Sequence, residues 1–299
     1  MYMTKLEIFG ALGYREDPFR RARFATGDMA RTLRILTMAV ESRAMVSIVG
    51  ERGIGKSEAV NVALDKLGVR RVVVNRAQKE KTTIADIEKA IILDLSDESP
   101  RRGAETCSRQ VRRIMGEASR KQRIVLVIEE AQRLHSSTLR SLKTLREIEW
   151  MGEKELFTVI LVAQSDPMNR AGVSEVRLRT DMVRMQGLSA NEAEHYVKST
   201  VGKHFTEEAL ELLSDLPQVR NFLELQELCV HLLNIALADG RDQVSEEDVK
   251  SYCAAKPVAV PAGVAKKKTA AVTSCKDALK AVLDRKTGRQ GEEIRAVAS

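Results

Sequence analysis

Eight consecutive residues have the types and spacing of a phosphate-binding loop. The segment GERGIGKS at 50–57 fits the pattern G-x-x-x-x-G-K-[ST]. Glycines let such a loop curl until its backbone N–H groups face phosphate oxygens at a helix N-terminus. The lysine then binds the β- and γ-phosphates of ATP, and the hydroxyl that follows it binds Mg²⁺. The predicted ATP-binding residues are Gly50, Gly53, Gly55, Lys56 and Ser57, with Ser57 also a Mg²⁺ ligand.

Two adjacent acids follow a second apolar run. Glu129 and Glu130 come directly after IVLVI at 124–128. One carboxylate at a strand end can take part in binding Mg²⁺, and a second can orient and polarise the attacking water. We assign the Mg²⁺ position to Glu129, where such sites usually have aspartate, and the water position to Glu130. The alternative is a pair of solvated carboxylates at the end of a strand.

A third apolar run also ends in polar side chains. The run FTVILVAQ at 157–164 ends at Gln164 and is followed by Ser165. A polar side chain that emerges from a buried strand beside the acid-bearing strand can hydrogen-bond the γ-phosphate or its water. We predict this role for Gln164, with Ser165 as the second candidate. The alternative is a strand end that only reaches solvent.

Apolar runs that alternate with longer amphipathic stretches predict an α/β fold with a parallel sheet. Strands are predicted at 46–50, 71–75, 124–129 and 157–164, with a weaker one at 182–185. Helical patterns occupy 29–40, 57–67, 83–95, 109–119 and 137–149. Residues 188–255 contain helical patterns only, with helix caps predicted at Ser189, Thr206 and Ser245.

These patterns divide the chain into four parts. We predict a lead-in segment at 1–28, a nucleotide-binding domain at 29–187, a helical lid domain at 188–255 and a basic tail at 256–299. The tail mixes proline, glycine, alanine, valine and lysine without a helical or strand period, and this composition is typical of a disordered linker.

Charge is distributed unevenly along the chain. Its 299 residues include 49 basic and 42 acidic ones, for a formal net charge of +7. The tail at 256–299 holds ten basic and four acidic residues, a net charge of +6, which leaves +1 for residues 1–255. No uncharged apolar run approaches the roughly 20 residues of a membrane span, and the N-terminus lacks the apolar core of a signal peptide. We therefore expect a cytoplasmic protein with no membrane partner. The four cysteines are scattered, which disfavours a zinc site or a disulfide.

Taken together, these motifs resemble the AAA+ ATPases, and more narrowly the branch that contains the target-selection ATPases of phage Mu and of transposons. ExeA-type secretion-pathway ATPases are related to that branch. GYREDPF at 13–19 resembles the lead-in "G-x-R-E-x-P-F" of the ExeA group. EEAQRL at 129–134 resembles the "D-E-A-Q/D-x-L" segment of the branch. The resemblance spans about residues 8–252 and implies Mg²⁺-dependent hydrolysis of ATP.

The resemblance also implies arginines that sense the nucleotide. Arg177 and Arg179 lie where the family has an arginine that acts on the ATP of a neighbouring subunit, and Arg184 is the other candidate. Arg220 in LPQVRNF resembles the sensor arginine of the lid, although the usual glycine before it is missing. The alternative for each is an ordinary surface arginine.

If the likeness to the Mu and transposon ATPases holds, the chain assembles with ATP into a ring or helical filament on duplex DNA and delivers that DNA to a transposase. The competing interpretation is an assembly or signalling ATPase of the ExeA type. No groove-reading module is visible, so we expect DNA contacts to be independent of sequence. A solvated helix face is the alternative for any one basic cluster. The candidate DNA-binding residues are Arg70, Arg71, Arg101, Arg102, Lys266, Lys267 and Lys268.

Overall fold

A parallel five-stranded sheet forms the centre of the computed structural model, which describes residues 3–20, 24–74 and 82–255. The strand order is β2-β3-β4-β1-β5, and every pair is parallel. The three inner strands are buried along their whole length, as their uninterrupted apolar sequences predict. The strands are β1 (Met45–Val49), β2 (Arg70–Val74), β3 (Ile124–Ile128), β4 (Thr158–Ala163) and β5 (Thr180–Arg184).

Helices cover both faces of the sheet. The side chains of β3 alternate between two apolar clusters, with Leu126 in one and Val125 in the other. Ile91 and Leu142 pack in the first cluster, whereas Leu64 packs in the second. The helices of the sheet region are α2 (Gly27–Glu41), α3 (Lys56–Leu67), α4 (Ile84–Leu95), α5 (Ala104–Lys121), α6 (Ser136–Arg146) and α7 (Ser174–Arg177). The predicted α/β fold with a parallel sheet flanked by helices is confirmed.

The segment after the sheet is helical, and three of its four α-helices start directly after a residue that the sequence predicts as a cap. Ser189 and Glu192 form a capping box at the start of α8, and the Thr206 side chain accepts a hydrogen bond from the N–H of Ala209 at the start of α9. The helices here are α8 (Ala190–Thr200), α9 (Glu207–Ser214), α10 (Phe222–Ala238) and α11 (Glu246–Ala255).

The predicted helix at 137–149 is too long at its C-terminal end. It ends at Arg146, and Trp150 instead forms an antiparallel bridge with Glu153. The indole of Trp150 lies against Gly116 of α5, so closely that a Cβ on that glycine would sit 2.1 Å from Trp150 Cγ. The only tryptophan of the chain therefore packs on a helix of the sheet domain.

The N-terminal lead-in packs against the helical segment, which the sequence did not reveal. It forms α1 (Lys5–Ala11) and a following turn. Tyr14 Oη donates to the backbone oxygen of Thr200 at 3.2 Å, and the ring of Phe19 stacks on Tyr196 with 5.9 Å between centroids. Across the described ranges, no helix is both long and apolar enough to cross a bilayer.

Candidate nucleotide-binding site

The loop between β1 and α3 needs glycine at two positions. Gly53 and Gly55 have φ angles of +86° and +91°, a region in which side chains are strained. A Cβ on Gly53 would also lie 2.3 Å from Asn221 Oδ1 and 2.9 Å from the Leu223 side chain. Gly50 has little free space too, because a Cβ there would meet the Ile54 side chain at 3.1 Å. The loop is therefore fixed by backbone conformation and by packing.

Lys56 begins α3 with its side chain folded into the loop. Its Nζ donates to the backbone oxygen of Glu51 at 2.6 Å, and only 9% of the residue is exposed. Burial lowers the pKa of Lys56, and the nearby carboxylates of Glu130, Glu129 and Glu51 oppose that shift. The ammonium thus lies in a partly desolvated site, where its attraction for a phosphate is partly offset by the repulsion from the carboxylates.

Ser57 and Glu129 are brought together across the end of the sheet. Ser57 Oγ donates to Glu129 Oε2 at 3.1 Å. Burial raises the pKa of Glu129, and the hydrogen bond from Ser57 opposes that rise. A hydroxyl and a carboxylate are the hard oxygen donors that Mg²⁺ prefers when phosphates and water complete its shell. The pair fits Mg²⁺, although the described residues contain no group of three or more acids, histidines or cysteines arranged for a metal ion.

Glu130 lies in a network of amides. Gln132 Nε2 donates to its Oε2 at 2.7 Å, and Gln164 Nε2 donates to the same oxygen at 3.1 Å. Gln132 Oε1 in turn accepts a hydrogen bond from the backbone N–H of Gln164 at 3.0 Å. Burial raises the pKa of Glu130, but the amide hydrogen bonds and the charges of Arg133 and Lys56 outweigh this and leave it lowered. Glu130 is therefore held as an ionised carboxylate.

Gln132 received no role in the sequence analysis, although it lies within the acid-rich EEAQRL segment. Its side chain reaches back to Glu130 because Glu130 adopts a left-handed backbone conformation, with φ of +52°. That turn brings the amide of a residue two positions later over the carboxylate. The EEAQRL motif contains Gln132, but only the structure shows that its amide contacts Glu130.

Asn221 is the second residue that sequence reasoning missed. It caps α10, because Oδ1 accepts a hydrogen bond from the N–H of Leu223 at 3.0 Å. Its Nδ2 donates to the backbone oxygen of Arg52 in the phosphate loop at 2.6 Å. A single buried amide therefore joins the first turn of α10 to the loop. An asparagine before an apolar helical run was a visible cap signal, but its second partner is 169 residues away.

The four candidate sensor arginines lie outside the acid cluster. Arg177 ends α7, and Arg179 pairs with Glu147 Oε1 at 2.7 Å. Both precede β5, whose first residue is in register with the first residue of β1, so they lie at the opposite end of the sheet from the phosphate loop. Arg184 ends β5 in register with Val49, next to that loop.

Arg220 reaches the site through its backbone, while its side chain is exposed. Its carbonyl oxygen accepts a hydrogen bond from the N–H of Leu188 at 2.9 Å. The same oxygen lies 2.1 Å from where a Cβ on Gly187 would be. Because any side chain at 187 would collide with it, only glycine allows the backbone there to approach Arg220 so closely. The 3-10 turn Pro217–Arg220 therefore sets Asn221 against the phosphate loop.

The candidate DNA-binding arginines differ in how far their charges are neutralised. Arg71 forms an ion pair with Asp65, whereas Arg70 donates only to the backbone oxygen of Asp94 at 2.5 Å. Arg101 and Arg102 are exposed in the turn before α5. Lys266, Lys267 and Lys268 lie outside the described residues, as does the whole basic tail.

Comparison with known proteins places this site in a recognised domain. Residues 39–170 match the family described as "AAA domain". That match includes the phosphate loop, both acids and Gln164. No curated protein matches the sequence of the chain.

Several solved structures have a similar fold. Cdc6p from Pyrobaculum aerophilum has a TM-score of 0.60 at 15% identity, covering 79% of this chain and 69% of that one. The Drosophila ORC bound to DNA has a TM-score of 0.59 at 13% identity, covering 84% and 65%. The Orc1 protein of Aeropyrum pernix in complex with DNA has a TM-score of 0.55 at 14% identity, covering 80% and 69%. At these identities, the likeness shows the fold alone.

Proposed function

We propose that the chain is an AAA+ ATPase that binds ATP at residues 50–57 and hydrolyses it to ADP and phosphate. The observation that carries this proposal is the cluster at the carboxyl ends of β1, β3 and β4. It places a lysine, a hydroxyl, two acids and an amide around one loop. The cluster consists of Lys56, Ser57, Glu129, Glu130 and Gln164.

Each residue has a task that follows from its chemistry. Lys56 and the loop N–H groups would hold the phosphates, and Ser57 with Glu129 would hold Mg²⁺, which when bound would neutralise charge on the phosphate oxygens. Glu130, kept ionised by its hydrogen bonds, orients water for attack and takes up its proton. For this, one of its amide partners must give way to water. Gln164 donates from the same edge toward the γ-phosphate.

The binding step is tested with Lys56→Ala. We expect this variant to lose ATP binding, measured with a fluorescent ATP analogue, because no other described lysine lies among these carboxylates. Lys66→Ala at the other end of α3 is the control and should bind ATP as the wild type does. Undiminished binding by Lys56→Ala would contradict the assignment of the loop.

We further propose that the protein assembles with ATP on duplex DNA without sequence specificity and delivers that DNA to a transposase. The resemblance of the acid-rich segment to target-selection ATPases supports this, and so does the fold, which the DNA-bound ORC and Orc1 structures share. Arg177 and Arg179 support assembly, because both lie at the end of the sheet opposite their own phosphate loop. To reach the ATP of a neighbour, Arg179 would have to leave its ion pair with Glu147.

Duplex binding with ATP, with ADP and without nucleotide, measured at low salt, tests the DNA step. We expect ATP to raise the affinity because assembly multiplies weak phosphate contacts. Binding that ATP does not stimulate would contradict the transposition role. ATP hydrolysis without any DNA binding would instead favour an assembly or signalling ATPase of the ExeA type.

A further inference from the structure

Five basic side chains from separate parts of the chain meet at the end of the sheet opposite the phosphate loop. Two hydrogen bonds join these parts: the N–H of Arg70 donates to the backbone oxygen of Arg123 at 2.9 Å, and the side-chain Nε2 of Gln122 donates to the backbone oxygen of Gly68 at 2.6 Å. All five side chains are exposed. This surface, the basic edge, consists of Lys66 of α3, Arg70 of β2, Arg120 and Lys121 of α5, and Arg123 before β3.

The charges of the basic edge are not compensated. Lys66, Arg120, Lys121 and Arg123 form no ion pair with any residue that the structure describes. Arg70 hydrogen-bonds a backbone oxygen, which leaves its charge in place. Three neighbouring acids are engaged elsewhere: Asp65 with Arg71, Glu117 with Arg113 at 3.4 Å, and the Asp94 carboxylate with the N–H of Val73 at 3.0 Å.

The rest of α5 shows that this is not a general property of the helix. Arg109 pairs with Glu105 at 2.5 Å, and Arg113 pairs with Glu98 at 2.5 Å. Those arginines belong to an ordinary solvated helix face. Arg112 also forms no ion pair with a described residue, since its Nε donates to the backbone oxygen of Glu149 at 2.6 Å. Only the last turn of α5 brings two adjacent unpaired charges to the beginnings of β2 and β3.

We propose that the basic edge binds the phosphate backbone of duplex DNA, an inference that rests on the proposed DNA-binding function. Arginine guanidinium groups fit phosphate oxygens, and such contacts carry no sequence information. Sites for a protein partner are typically rich in aromatic residues and poor in lysine, whereas the basic edge contains no aromatic residue and two lysines. It lies one strand length, about 16 Å for five residues, from the nucleotide site, so DNA does not compete with ATP.

The test compares two full-length variants that lose the same charge. Arg120→Gln/Arg123→Gln removes two charges from the basic edge. Arg31→Gln/Arg34→Gln removes two from α2, where both arginines are exposed and form no ion pair with a described residue. Fluorescence anisotropy with a labelled 30-base-pair duplex is recorded with ATP over a series of salt concentrations.

We expect the basic-edge variant to bind roughly tenfold more weakly near physiological salt. Its plot of log affinity against log salt should be shallower by about 2, because each lost phosphate contact removes about 0.9 from the slope. The α2 variant should keep the wild-type slope. ATP hydrolysis without DNA should be unchanged in both, which also shows that they fold. Lys66→Gln/Lys121→Gln repeats the test if the first variant does not fold.

The possible failures are distinguishable. Wild-type binding with an unchanged slope in the basic-edge variant overturns this inference and leaves the proposed function standing. Absence of duplex binding by the wild type overturns both. Labelled polyglutamate serves as a second probe: if the basic-edge variant loses affinity for it but not for the duplex, the surface belongs to an acidic protein partner and the assignment to DNA is wrong.

Discussion

The Glu130 carboxylate accepts hydrogen bonds from two amides, Gln132 and Gln164, and these bonds keep its pKa low. The acid that is to receive a proton from water is thereby ionised over a wide pH range. The same amides occupy the Glu130 carboxylate, so water must replace one of them before Glu130 can act as a base. The two amide hydrogen bonds therefore both keep Glu130 ionised and limit its access to water.

Removing one amide should make hydrolysis more sensitive to acid. Gln132→Leu deletes a donor that stabilises the ionised form, so the pKa of Glu130 rises. Because the ionised form is the active one, the acid limb of the kcat/KM profile should move to higher pH, as measured by phosphate release. Gln122→Leu, whose amide contacts Gly68 far from the site, should leave the limb in place. If the acid limb does not move in Gln132→Leu, ionisation of Glu130 does not control the rate of hydrolysis.

At the scale of elements, one asparagine couples α10 to the phosphate loop. Asn221→Asp keeps an oxygen to cap Leu223 N–H but loses the donor to the Arg52 oxygen. We expect it to weaken ATP binding, because a carboxylate then faces the loop oxygen and the phosphates.

The free energy of unfolding distinguishes the capping contact of Asn221 with Leu223 from its contact with Arg52. Asn221→Ala loses both contacts, and its free energy of unfolding should fall by about 0.5–2 kcal/mol for the cap alone. Chemical denaturation of the two variants gives the comparison, with Asn221→Asp nearer to the wild type. Equal ATP affinity in Asn221→Asp and the wild type would show that the link to Arg52 does not influence binding.

The contact between Trp150 and Gly116 gives a second test at this scale. Alanine normally stabilises a helix over glycine by roughly 0.8–1 kcal/mol. Here a Cβ would lie 2.1 Å from the indole, so Gly116→Ala should lower the free energy of unfolding. In a Trp150→Ala background the three nearest atoms, all in the indole, are gone, and the same change should become neutral or stabilising. A stabilising effect of Gly116→Ala in both backgrounds would refute the packing.

The sequence predicts those features whose residues lie close together along the chain. The phosphate loop occupies eight consecutive residues, and the buried strands are apolar runs, so both were found without the structure. Asn221 and Arg52 are 169 residues apart, and the basic edge is assembled from three segments, so no window along the chain contains either. The packing of the lead-in on α8 was hidden for the same reason.

At the scale of the whole molecule, the net charge of +7 belongs almost entirely to residues 256–299, which carry +6. Deleting them should weaken duplex binding and flatten its salt dependence, because fewer counterions are released. Hydrolysis should be intact, since all the residues of the proposed site lie before residue 256. Loss of phosphate release in the truncated protein would show that the tail takes part in the reaction.

The most direct test of the ATPase assignment is phosphate release by Glu130→Gln at saturating ATP, with ATP binding measured on the same sample. The amide cannot accept a proton from water, so release should fall by about 10²–10⁴-fold while ATP stays bound. On duplex DNA, the variant should then remain as an ATP-bound assembly. Phosphate release at the wild-type rate, with ATP bound normally, would contradict the account.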